Sequence, residues 1–170
     1  CRQRLPALAY AVMDGTRPAV ACPFDLVCAN LAAQWFPDLT AATAQLARLV
    51  APGGLLALTL LGAGTFSEWR QAHGKLGLCA GTLPFPPPAL CRAAFPAAEE
   101  FRLIAEHHID RPATALDFLQ TLRAIGADTS AAGHTPLSAG QLRRVLRQLG
   151  ATPAISYELI YALWRAPDPV

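Results

Sequence analysis

Two runs of nearly uninterrupted apolar residues dominate the first half of the chain. Phe24-Asp-Leu-Val-Cys-Ala-Asn30 is short and closed by a turn-prone Asn, and Leu55 to Leu61 is apolar throughout except for Thr59. Both read as buried strands, and the unbroken apolarity of Leu55 to Leu61 suggests a parallel sheet covered on both faces. Between them Leu39, Ala42, Leu46, Leu49 and Val50 recur at helical spacing, and Pro52-Gly53-Gly54 stops that helix. Strand, helix, strand is the parallel crossover unit. Phe66 to Leu76 then predicts a second helix. Ligands of such sheets bind beyond the carboxyl ends of the strands, which puts Asn30 to Trp35 and Gly62 to Phe66 at the candidate site.

The second half has another texture. Gly81 to Pro88 holds Pro84, Pro86, Pro87 and Pro88 and is extended. Ala89 to Phe95 predicts a short helix and Phe101 to Ile109 a strand. Thr114 to Ile125 is amphipathic and closed by Gly126. Ser138 to Leu149 opens with Ser138 and Gln141 in capping-box spacing and closes at Gly150. Ile155 to Trp164 is the last strand. There Tyr157 and Tyr161 share a face, as core packing would ask. No internal repeat interrupts the series, so the chain reads as one α/β domain with an insertion.

Composition narrows the function classes. Apolar residues make up 53% of the 170 and charged residues 15%, which excludes a disordered chain and a coiled coil. A net charge of +2 does not point to nucleic acid. Cys1, Cys22, Cys28, Cys79 and Cys91 form no CxxC pair, and their odd number suggests buried thiols in a reducing cytoplasm. No apolar run reaches the roughly 18 residues of a membrane span. The expectation is a soluble, cytoplasmic monomer without a membrane partner. His107 and His108 are adjacent and point to opposite strand faces, while His73 and His134 are isolated, so no metal site is expected. No GxSxG or P-loop is present, and hydrolysis of acyl or phosphoryl groups has no support.

The order of parts is more telling than any one of them: Asp14, Phe24-Asp25-Leu26, Asn30-Leu-Ala-Ala-Gln-Trp35, the helix, Pro52-Gly53-Gly54 and an apolar strand. It resembles the second half of a class I S-adenosylmethionine-dependent methyltransferase. The tail sharpens this. FLQTLRAIGA (118–127), GHTPLS (133–138), QLRR (141–144) and SYELIYA (156–162) are similar to the BioC family, the malonyl-acyl-carrier-protein O-methyltransferases of biotin synthesis. The mitochondrial complex I assembly methyltransferase-like family shares the loop but fits the tail less well. The resemblance implies a doubly wound Rossmann-like sheet from its third strand onward across residues 1–170, with 81–150 as an inserted, substrate-side helical region. The family's glycine-rich motif and its ribose-binding acidic residue have no counterpart here. Together with Cys1 in place of Met, this suggests a fragment or processed chain with half a cofactor pocket and some exposed core.

The same resemblance implies roles. Met13 and Asp14 fall where a carboxylate takes the adenine amine of S-adenosylmethionine, although Asp14 also suits a simple turn before Gly15. Asn30 and Leu31 would lie against the sulfonium end. Gln34 and Trp35 would line the meeting place of methyl donor and acceptor, with packing of Trp35 on the following helix as the alternative. A malonyl carboxylate is ionised at neutral pH and needs no base, only alignment and exclusion of water. Arg123 is the candidate to hold it, whether on acyl carrier protein or on malonyl-CoA. Arg143, Arg144 and Arg147 lie on one side of their helix and suit either an acidic carrier protein or plain solvation. Methyl transfer to another small molecule or protein, and a non-catalytic interaction module, are the alternatives.

Overall fold

The structure is a computed structural model that describes residues 3–168. A four-stranded sheet forms its centre: β1 (Phe24–Asn30), β2 (Val50–Leu61), β3 (Phe101–Asp110) and β4 (Ile155–Arg165), in the spatial order β1-β2-β4-β3. β1 and β2 are parallel and joined through α1 (Leu39–Ala47). β4 runs antiparallel to both β2 and β3. The helices α2 (Ser67–Gly74), α3 (Pro88–Ala93), α4 (Ala115–Ala124) and α5 (Ala139–Leu149) complete it.

Three of the helices start at side chains that cap them. The Asp38 carboxylate accepts from the Ala41 N–H at 2.9 Å and opens α1. Thr114 caps α4, and Ser138 with Gln141 forms the reciprocal capping box of α5. Region 81–150 holds α3, α4 and α5 but also β3, which pairs with β4 along its whole length.

Three expectations are corrected. Pro52-Gly53-Gly54 does not precede its strand: β2 begins at Val50, and pairing jumps from Phe24↔Val50 to Leu26↔Leu55, so the Pro-Gly-Gly segment bulges from within the strand. β1 is not buried, since Phe24 is 42% and Leu26 56% exposed. Among the described residues it stands at the edge of the sheet, paired with β2 on one side only. The thiols differ as well: Cys91 is buried, whereas Cys22, Cys28 and Cys79 are exposed. Cys1 lies outside the described residues. Burial pushes the Cys91 thiol up to about 11, with the Glu158 charge adding to it.

The core is asymmetric. Leu56, Leu58 and Leu60 of β2 are fully buried, and the residues between them are only half-buried. The buried face packs with Ile160, Ala162 and Trp164 of β4 against Ala33, Leu46, Cys91 and Phe95. The other face meets a second cluster at the start of β4, where Ile155 packs with Phe66 and Phe118. No helix among the described residues is long and apolar enough to cross a membrane.

Candidate active site

Two loops meet at the carboxyl ends of the parallel strands. The first leaves β1. The Leu31 N–H still donates to the Thr59 carbonyl at 2.8 Å, but Leu31 itself has φ +50°, which swings the chain out of the sheet. A single 3-10 turn follows at Ala33–Trp35. The Gln34 Nε2 donates to the Leu31 carbonyl at 2.9 Å, so that backbone oxygen already has a side chain on it. Gln34 Oε1 is buried and has no hydrogen-bond partner.

The second loop leaves β2 and is moulded around Glu158. Gly62 N–H donates to the Glu158 carbonyl at 2.8 Å and Gly64 N–H to its carboxylate Oε2 at 2.7 Å. Glu158 N–H in turn donates to Thr65 Oγ1 at 3.0 Å. Glycine at position 62 is a matter of room, because a Cβ there would lie 2.7 Å from Glu158 Cδ and 2.9 Å from Cγ. Beside it Glu68 takes the Ser156 N–H at 2.9 Å and the Ser156 hydroxyl at 2.6 Å. Burial works against ionisation of Glu68, but the bonds from Ser156 outweigh it and hold the carboxyl below its usual range. The Phe66 N–H donates to the Ser156 carbonyl at 2.7 Å, with Phe66 itself at φ +59°. Neither glutamate was singled out from sequence. The available signal was one acid, Glu158, inside the largely apolar stretch Ile155–Trp164.

Between the loops and α2, α4 and α5 lies a cavity of about 790 Å³. Its near wall is Leu31, Gln34 and Trp35. Aromatic rings of Phe66, Trp69, Phe85, Phe118 and Tyr157 form its body. Phe66 stacks edge-on against Phe118 and Tyr157, with centroids 5.4 and 5.1 Å apart. Burial pushes the Tyr157 phenol up to about 12, with Asp110 contributing, so it stays a neutral donor. A smaller hollow of about 510 Å³ lies beyond Gln34 and Trp35, against Pro84, Pro86 and Leu90.

Four of the expected residues thus come together: Leu31, Gln34, Trp35 and Arg123, the last exposed at the end of α4 on the cavity rim. Trp35 is 42% exposed, so it is not consumed by packing on α1. Met13 and Asp14 do not line this cavity. Asp14 Oδ1 accepts from the Thr16 N–H and hydroxyl, both at 2.8 Å, and those bonds hold its carboxyl below the usual range. Arg143, Arg144 and Arg147 are exposed on the side of α5 away from buried Val145. The ion pairs among the described residues are His107 with Glu158 and Arg165 with Glu100, so these arginines carry uncompensated charge. No group of three or more metal-ligating side chains gathers among the described residues.

Similarity to other proteins agrees with this architecture. A family profile described as a methyltransferase domain matches residues 1–58. The chain is 44% identical, over 98% of its length, to the biotin biosynthesis bifunctional protein BioCD of Bordetella avium, of which it covers 35%. It is 34% identical, over 91% of its length, to a malonyl-[acyl-carrier protein] O-methyltransferase of Magnetococcus marinus, covering 58% of that protein. The chain therefore spans between about a third and three fifths of these relatives. Among solved structures, the YcgJ protein of Bacillus subtilis superposes with a TM-score of 0.57 at 11% identity, over 91% of this chain and 69% of that one. A candidate methyltransferase of Bacillus halodurans superposes with a TM-score of 0.55 at 13% identity, over 91% and 70%. Over most of its length the chain is similar in sequence to malonyl-[acyl-carrier protein] O-methyltransferases and to BioCD, and it shares its fold with the two superposed structures.

Proposed function

We propose that the polypeptide carrying this chain transfers a methyl group from S-adenosylmethionine to the free carboxylate of a malonyl thioester on acyl carrier protein. The carrying observation is the largely apolar cavity at the carboxyl ends of β1 and β2, with Leu31, Gln34 and Trp35 on one wall and Arg123 at its rim. S-adenosylmethionine supplies an electrophilic methyl on a sulfonium. Gln34 Oε1 suits that group, being a buried acceptor without a donor, the kind of oxygen a cationic centre takes. Asp14 spends one oxygen on Thr16, and its other oxygen remains for the adenine amine.

The chain's own residues then act by placement. Arg123 draws the carboxylate to the rim, Trp35 covers the meeting point, and the aromatic body excludes water. No base is required, because the nucleophile arrives ionised. The uncompensated Arg143, Arg144 and Arg147 provide the docking face for an acidic carrier. The test is methyl transfer by the complete polypeptide from labelled S-adenosylmethionine to malonyl-carrier and to malonyl-CoA. Arg143→Glu with Arg147→Glu should raise KM for malonyl-carrier about tenfold and leave malonyl-CoA unchanged. Absence of methyl ester from both acceptors refutes the assignment.

A further inference from the structure

The far end of the cavity contains two histidines that the reaction above does not use. His73 of α2 is 1% exposed. Its Nδ1 lies 2.8 Å from the Trp69 carbonyl, which can only accept, so Nδ1 carries the proton and Nε2 is left as an acceptor. The Trp69 ring backs it at a centroid distance of 4.3 Å and is itself tied by Nε1 to the Ala80 carbonyl at 3.1 Å. His134 comes from the loop before α5. The Ala131 N–H donates to the Gly81 carbonyl at 2.8 Å, and the His134 ring is pressed so closely on Gly81 that a Cβ there would meet it at 2.7 Å. His134 Nδ1 is buried and has no partner. Both rings line the cavity.

A buried imidazole nitrogen without a partner in a largely apolar chamber is a gap that a ligand atom closes. One ring offers an acceptor and the other an open nitrogen that can carry a proton. Together they match a group with one N–H and one C=O, which is a secondary amide. A carboxylate would find one donor and one repelling lone pair. Two imidazoles with no third ligating side chain grouped beside them also make a poor metal site.

We propose that His73 and His134 hold a secondary amide of the acyl-pantetheine arm, with His134 donating to its carbonyl and His73 Nε2 accepting from its N–H. The inference rests on the thioester reading of the cavity. It makes the two histidines specificity-determining residues that favour long pantetheine thioesters over short ones.

The experiment is calorimetric titration of the complete polypeptide with malonyl-pantetheine and with S-ethyl malonyl thioester, which has the same head and no amide. His134→Phe keeps a ring against Gly81 and removes the nitrogen, while His134→Gln restores a donor. His134→Phe should weaken malonyl-pantetheine by about tenfold, the loss of one hydrogen bond, and leave the ethyl thioester unchanged. His134→Gln should recover most of the loss. Equal weakening of both thioesters, or of neither, overturns the amide contact while leaving the substrate assignment in place. Failure of the unaltered polypeptide to bind either thioester overturns the inference together with the reading beneath it.

Discussion

Gly62 and Glu158 should be energetically coupled, and the size of that coupling can be worked out from the geometry. Gly62→Ala puts a methyl group into space held by Glu158, 2.7 Å from Cδ and 2.9 Å from Cγ. The carboxylate must move, and in moving it gives up the 2.7 Å bond from Gly64 N–H. A hydrogen bond to a charged, largely buried acceptor contributes about 1.5–3 kcal/mol. Glu158→Ala loses the same bond directly. Its contact with His107, 3.9 Å away and mostly exposed, adds little. Each single variant should therefore lose about 1.5–3 kcal/mol, or roughly 3–12 °C in Tm for a chain of this size. In the double variant the methyl group enters vacated space and the bond can be lost only once. It should be no less stable than Glu158→Ala alone, a coupling of about 1.5–3 kcal/mol. Urea unfolding of the four proteins followed by circular dichroism measures this. Additivity to within about 0.5 kcal/mol would refute the idea that glycine is there to make room for Glu158.

Other outcomes follow from the same packing. Phe118→Ala removes a ring that is 2% exposed and stacked on Phe66, and should lower stability by about 3–5 kcal/mol, read as a lower urea midpoint at unchanged slope. Burial holds His73 below its ordinary value of 6.5, with the charge of His134 adding to the effect. The unfolded chain therefore binds a proton that the folded one refuses, so this contribution is complete above pH 6.5 and is lost as pH falls through the folded value. His73→Gln should flatten that part of the stability profile between pH 7 and pH 5, and an unchanged slope would count against the burial argument.

Where sequence and structure agree, the information is local. The Ser138–Gln141 box needs only four residues to be recognised, and it forms as spaced. The parallel crossover from Phe24 to Leu61 is written in two apolar runs and one helical period, and β1, α1 and β2 reproduce it. Where they part, the missing information is tertiary. The run Phe24–Asn30 looks buried because its residues are apolar, yet burial depends on what lies beside the strand, and β1 stands at an edge. Gln34 could be placed near a ligand from its position in the loop, but not the bond that turns its amide and leaves Oε1 bare. Glu158 is a single acid in an apolar strand. Its meaning emerges only when Gly62 and Gly64, almost a hundred residues earlier, close around it.

The two ends of the sheet are finished differently. β3 presents Arg102, Glu106, His107 and His108 along an exposed strand, and charged side chains of that kind discourage a further strand from pairing. β1 presents Phe24, Leu26 and Cys28, exposed and uncharged, with Asp25 as its one charged side chain. A strand laid beside β1 would therefore meet mostly apolar side chains, whereas one laid beside β3 would meet mostly charged and polar ones.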